Sequence, residues 1–154
     1  MRQLIYYVAT SIDGMIAGVD GSTDDFTNDP SALGALAERY PQSFPTGFHD
    51  QLGITKAART SPWSTVIMGR ETFEPARRAG IRSPYAHLDQ YVVSTTLGRE
   101  IEPDVTLVDH DPVSLVRSLK STAPGDIWLC GGGRLAHALH DEIDRLIVKV
   151  NPFV

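Results

Sequence analysis

Three consecutive glycines, Gly131-Gly132-Gly133, follow the apolar run Ile127-Trp128-Leu129-Cys130 and lead directly into a helix-forming pattern. Glycine loses more conformational freedom on folding than any other residue, so a run of three needs a reason. A tight turn is one. The other is a phosphate that must come very close to the backbone at a helix N-terminus, where free N–H groups and partial positive charge meet it. Two further apolar runs end in related chemistry. Val66-Ile67-Met68 leads into Gly69-Arg70, and Tyr91-Val92-Val93 leads into Ser94-Thr95-Thr96. Arg70 offers a planar cation with several donors, suited to phosphate. The three hydroxyls add further donors. Spread over several strand ends, the set suits a phosphorylated nucleotide, because open α/β sheets bind ligands at the carboxyl ends of their strands. Each piece also has a plain reading: a turn, a solvated or ion-paired arginine, an ordinary strand end. The commonest phosphate fingerprints are not present. Arg134, Leu135 and Ala136 follow the glycines, which breaks G-x-G-x-x-G, and no Gly-Lys-Ser/Thr follows to make a P-loop.

Other reactive residue types carry weaker signals. Asp13 stands beside Gly14 in "ATSIDGMIA". A carboxylate there would orient a substrate or relay a proton, or it is simply the Asp of an Asp-Gly turn. His137 and His140 share one helical face, but no Glu or Cys completes a metal set, which points to a surface or interface. Cys130, at the end of an apolar run, reads as a small buried hydrophobe. Trp63 and Trp128 read as core. Thr23-Asp24-Asp25 and Asp109-His110-Asp111 read as solvated loop charges, with Asp29 and Asp111 as helix caps.

The elements that must position these residues alternate along the chain. Strands are expected at Arg2 to Ala9, Ser64 to Gly69, Gln90 to Thr95 and Asp104 to Asp109, then at "DIWLC" and within "IDRLIVKVNPFV". The segment "TSIDGMIAGVDGSTDDF" is a long loop with a short extended piece at Met15-Ile16-Ala17. Helices are expected in "DPSALGALAERY", over His49 to Thr60, in "RETFEPARRAG" until Pro75 cuts it short, in "DPVSLVRSLKS" and in "GRLAHALHD". Strands alternating with helices predict an α/β fold with a largely parallel sheet.

The 154 residues make one domain, large enough for a core without disulfides or metals. Fourteen basic against nineteen acidic residues leave a formal charge of −5, which is no footprint for nucleic acid. No apolar run approaches the ~20 residues of a membrane span, and the N-terminus does not read as a signal peptide. A single cysteine excludes an intrachain disulfide and suggests a reducing, cytoplasmic setting.

Taken in order, Ala9-Thr10-Ser11, Asp13-Gly14-x-Ile16-Ala17, Met68-Gly69-Arg70-x-Thr72-x-Glu74, Val93-Ser94-Thr95-Thr96 and Gly131-Gly132-Gly133 resemble the dihydrofolate reductase-like superfamily over nearly the whole chain. "SIDGMIA" is closer to the reductase domain of riboflavin biosynthesis and its stand-alone relatives than to folate-specific enzymes. The resemblance implies a three-layer α/β domain, a central, mostly parallel sheet flanked by helices, spanning residues 1–154 and lacking the family's final strand pair. It implies NADPH as cofactor, a small heterocyclic substrate of pterin or pyrimidine type, and a homodimer. By match of position, Gly69, Arg70 and Thr72 would bind the adenosine-side phosphates, and Ser94, Thr95 and Thr96 the 2′-phosphate and adenine. Gly131, Gly132 and Gly133, continued by Arg134 and Leu135, would form the pyrophosphate turn, with a cis Gly-Gly bond. Ala9, Ile16 and Ala17 would flank the nicotinamide, and Asp13 is the candidate catalytic residue. Folate-specific relatives carry an acid in the first long helix. Glu38 is the acid that helix offers here, and it has no register with that position. A true dihydrofolate reductase and a non-catalytic NADP(H)-binding sensor or scaffold stay open as alternatives.

Overall fold

The computed structural model describes residues 1–26, 29–55, 62–98 and 103–154. Six strands form one sheet: β1 (Leu4–Thr10), β2 (Trp63–Gly69), β3 (Asp89–Val93), β4 (Val105–Val108), β5 (Asp126–Gly131) and β6 (Arg145–Val150). Their order across the sheet is β4-β3-β2-β5-β1-β6, and every pairing is parallel. The expected "mostly parallel" sheet is therefore wholly parallel among the described strands. All six carboxyl ends lie along one edge of the sheet. Among the described residues, four α-helices lie between the strands: α1 (Pro30–Arg39), α2 (Arg70–Arg78), α3 (Pro112–Thr122) and α4 (Gly133–Ala138).

Period-two alternation distributes the core over both faces, which is what a sheet covered on two sides requires. On one face Leu4, Ile67, Ile127 and Leu129 pack with Val116 and Leu119 of α3 and Leu135 of α4. On the other, Ile5, Val66, Met68 and Trp128 pack with Phe73 of α2 and Trp63. Tyr7, Tyr40, Trp63, Trp128 and Tyr85 form a continuous aromatic cluster on this second face, with Tyr40 stacked on Trp63 at 5.8 Å and Trp63 on Trp128 at 5.5 Å. The result is three layers, helix–sheet–helix.

The helix starts follow the sequence. Asp29 accepts from Ser31 N at 3.0 Å with Pro30 next, and Asp111 accepts from Ser114 N at 3.0 Å with Pro112 next. Each cap is worth ~1 kcal/mol. Other expectations are corrected. Pro75 does not end α2, which runs on to Arg78. The ring removes one backbone bond, but Phe73, fully buried, anchors the helix to the sheet, and Glu74 gathers Arg70, Arg77 and Arg78 at 3.3 to 4.0 Å. Burial of one large side chain, ~2–3 kcal/mol, offsets much of the proline's cost of ~3 kcal/mol. Residues 49–55 form turns rather than the start of a helix, and residues 56–60 of that expected helix lie outside the described residues. No strand forms at Met15-Ile16-Ala17, where the chain is bent and lies off the sheet. Strand β3 stops at Val93 because Ser94 turns the chain.

Candidate functional site

The three strand ends singled out by their residue types converge. β2 and β5 are neighbours, with Met68 paired to Gly131, so the Gly69 and Gly131–Gly133 turns lie side by side. A Cβ built on Gly69 would stand 3.5 Å from the Gly131 carbonyl oxygen and 3.6 Å from Gly132 N. Thr72, in the first turn of α2, points its hydroxyl at the glycine turn. Its Oγ1 is 3.9 and 3.7 Å from the Cβ positions of Gly131 and Gly132. Gly131 has φ +124°, a conformation that L side chains rarely adopt, and the Gly131–Gly132 peptide is cis, as the resemblance implied.

Gly132 and Gly133 have ordinary or extended backbone angles and open space around them. A Cβ on Gly132 would meet only Thr72 Oγ1, and one on Gly133 only Ile16 Cδ1 at 3.6 Å, both ordinary contacts. Among the described residues, no packing contact demands glycine at these two positions. A surface kept bare of side chains against open space, beside a helix start with free N–H groups, fits an approaching pyrophosphate.

Around this cradle, Arg70 Nη1 donates to Thr96 Oγ1 at 2.7 Å, which joins the ends of β2 and β3. Arg70 is half exposed and also lies 3.8 Å from Glu74. Thr95 and Thr96 are exposed. Ser94 is buried, and its Oγ accepts from Thr96 N at 3.2 Å and Leu97 N at 3.0 Å. Its hydroxyl therefore shapes the turn that presents Thr95 and Thr96. Arg134 is exposed beside the glycines, whereas the Leu135 side chain is buried in the core, leaving only its backbone toward the turn.

Across from the glycine turn, Ala9 and Ile16 line a cleft of about 420 Å³, completed by Thr23, Asp24 and Phe26. Ile16 also touches the Gly133 position, so cleft and glycine turn adjoin. Ala17 is half-buried next to Ile16 but is not part of the lining. Thr23 and Asp24 belong to the stretch read from sequence as solvated charge. Placement against Ala9 is decided by the fold of the loop, and the one sequence signal was an aromatic residue, Phe26, closing a polar run. Phe26 is held edge-on against Phe153 at 5.0 Å. The tail after β6 straps the loop: Ile12 N donates to Phe153 O at 2.9 Å, and the buried Asn151 bonds Thr10 O.

Asp13 is placed differently from the catalytic expectation. It is exposed, it accepts a hydrogen bond from Ser11 Oγ, and it is not among the cleft's lining residues. Ser11 Oγ in turn accepts from Met15 N at 2.9 Å, and Gly14 takes φ +86° between them. This geometry supports the turn role. Glu38 is exposed on α1. Cys130 sits beside Tyr85 in apolar surroundings, and burial pushes its thiol pKa up to about 12, so it is an inert thiol at neutral pH.

A larger concavity, about 610 Å³, opens at the opposite end of the sheet, lined by Arg2, Ser64, His87 and Asp126 among others. Four of its polar side chains are already bonded within the protein. Arg2 Nε donates to Ala123 O, Ser64 Oγ accepts from Gly125 N, His87 bonds Thr46 and Gln42 O, and Asp126 accepts from Gln3 N. Size alone favours that cleft. Unsatisfied chemistry and the carboxyl-end rule favour the smaller one.

Comparison with known proteins decides the family. The model of the RibD C-terminal domain matches residues 2–154. The chain belongs to that family. Its members are reductase-like domains that generally bind NADPH. The Bacillus subtilis (strain 168) protein YwjB is 27% identical over 155 residues, covering 99% of this chain and 78% of that protein. The crystal structure of a Shewanella sp. PV-4 protein named for riboflavin biosynthesis superposes with a TM-score of 0.62 at 23% identity, over 99% of this chain and 78% of that one. That likeness establishes the dihydrofolate reductase-like fold. Among the described residues, no helix is long and apolar enough to cross a membrane.

Proposed function

We propose that this RibD C-terminal domain is an NADPH-dependent reductase of a small heterocyclic substrate. The observation that carries the reading is the bare glycine surface of Gly132 and Gly133, unexplained by internal packing, next to the cleft edged by Ala9 and Ile16. NADPH, when bound, supplies the hydride. The chain's own residues bind and orient. The backbone of Gly131, Gly132, Gly133 and Arg134 receives the pyrophosphate, with Gly69 leaving room and Thr72 adding a hydroxyl. Arg70 and Thr96, already bonded to each other, meet the adenosine-side phosphate, and Thr95 extends that surface. Ala9 and Ile16 form the apolar edge that excludes water from the reacting end, with Ala17 next to Ile16 outside the lining.

A homodimer is part of the same proposal. Leu146, Val148 and Val150 of the edge strand β6 are 59%, 43% and 62% exposed, an apolar row of the kind a second copy covers. Light scattering across a dilution series checks it, and a monomer throughout would remove it.

Calorimetric titration with NADPH and NADH tests the cofactor. The expected result is one site per chain with NADPH tighter. Absence of binding by either would overturn the reading. Turnover, followed by NADPH absorbance against a panel of pterins, pyrimidines and flavin precursors, separates a reductase from a binding-only domain.

A further inference from the structure

Resting on that reading of the site, we propose that Asp24 is the substrate-holding carboxylate, and that it selects a planar, cationic or N–H-rich substrate over an anionic one. Of the five described residues that line the 420 Å³ cleft, Asp24 is the one with a charge. Its neighbours give the cleft a consistent character. Ala9 and Ile16 are apolar and lie toward the glycine turn, Phe26 offers a ring face, and Thr23 a hydroxyl. A flat ring fits between the apolar edge and Phe26. A carboxylate at the rim accepts two N–H donors at once, a charge-assisted arrangement stronger than a neutral bond.

Asp24 is held in place rather than free to drift. Phe26 N donates to Thr23 O at 3.1 Å, closing a turn with Asp24 and Asp25 at its two central positions. Phe26, fixed against Phe153, sets the orientation of that turn. Of the two central residues, Asp24 lines the cleft and Asp25 does not. Asp13 and Asp20, the other acids of the loop, have their carboxylates engaged by Ser11 Oγ and by Ser22 N. Among the described residues, none pairs with the Asp24 carboxylate. The loop therefore carries four acids with different fates: two bonded to their own turns, one lining the cleft and one outside it.

The probe is benzamidinium, a planar ring with a fork of N–H donors, set against benzoate, its anionic counterpart of the same shape. Ligand-observed NMR on the NADPH-saturated protein measures both affinities. Benzamidinium is expected to bind, and benzoate not measurably. Asp24→Asn is expected to weaken benzamidinium about tenfold, in line with loss of one charge-assisted bond. Asp25→Asn, on the same turn, should stay within about twofold of wild type and so controls for net charge. NADPH affinity and melting temperature of Asp24→Asn should match wild type, which shows that the fold and the cofactor site are intact. An equal loss in both variants, no loss in Asp24→Asn, or tighter binding of benzoate than benzamidinium would overturn the assignment. So would failure of the wild type to bind benzamidinium at millimolar concentration. NADPH binding is measured separately, so failure of the cofactor reading is distinguishable from failure of this one.

Discussion

At the amino end of the sheet, polar groups from distant parts of the chain are tied to one another. Leu4 N donates to Asp144 Oδ2 at 2.8 Å, Lys120 Nζ lies 2.8 Å from the same carboxylate and 2.7 Å from Glu142 O, and Arg117 Nε meets Glu142 at 2.7 Å. Arg2 N donates to Lys120 O, and Gly125 N to Ser64 Oγ. At the carboxyl end, the tail bonds back to Thr10 and Ile12 and Arg70 joins Thr96, while Ser94 bonds within its own turn and Ser11 with Asp13 and Met15. The glycine turn there faces open space. The amino end is tied by charged side chains from distant segments, and the carboxyl end, strapped by the tail, leaves its glycine turn uncovered. The separation lets the carboxyl end carry uncovered backbone without loss of stability.

Two glycines express the contrast, and substituting each should break opposite properties. Gly132→Val is the largest expected effect. Its Cβ has room within the protein, so the melting temperature should change by no more than a few degrees, while NADPH affinity falls ~100-fold or more, or ~2.7 kcal/mol. Calorimetry and a thermal melt read the two quantities. Unchanged affinity in the folded variant would remove the glycine turn from the cofactor site. Gly125→Ala is the mirror case. Its Cβ would stand 2.6 Å from the Pro62 carbonyl oxygen and 3.1 Å from Ser64 Cβ, contacts that require the backbone to move. Overpacking of this kind costs ~1–3 kcal/mol, or roughly 2–10 °C in a domain of this size. NADPH affinity, measured below the transition, should be unaltered. A Gly125→Ala protein as stable as wild type would show that the amino end is looser than its contacts imply.

Arg70→Ala should have a smaller effect, about tenfold on NADPH affinity, because the side chain is half exposed and shared with Glu74 and Thr96. A loss greater for NADPH than for NADH would place it at the 2′-phosphate. Equal losses would move it to the pyrophosphate. The smallest effect is at Asp144. Burial opposes its charge, but the Lys120 ammonium and the Leu4 N–H outweigh that and hold its carboxyl below the usual range. A depressed carboxyl pKa stabilises the fold above the unfolded-state value, and the contribution is lost as pH falls through the folded-state value. Asp144→Asn should therefore melt a few degrees lower at pH 7, with the gap closing as pH drops below the ordinary carboxylate range. A gap constant with pH would show that the carboxylate's charge plays no part.

Much of this was legible in the residues because it depends on neighbours in sequence. Asp29-Pro30 and Asp111-Pro112 start helices through bonds two or three residues away. The strands show as apolar runs, and the glycine turn stands out because three costly residues follow a buried strand. Pro75 was misread because its penalty is local, whereas what offsets it, the burial of Phe73 against the sheet, is not. Ser94 reads as a ligand donor from its type, and only the tertiary turn shows that its oxygen also accepts from Thr96 and Leu97.

Residue types and short spacings determined the α/β alternation, the caps and the strand ends able to meet a phosphate. The tertiary structure alone decided which strand ends lie side by side, since the order β4-β3-β2-β5-β1-β6 depends on pairings more than fifty residues apart for β2 with β5 and more than a hundred for β1 with β5 and β6. It also decided the fates of Asp13, Asp20, Asp24 and Asp25. Four carboxylates in one polar loop look alike by residue type, and they become different only when the loop folds, with Phe26 against Phe153, and brings one of them into the cleft lined by Ala9 and Ile16.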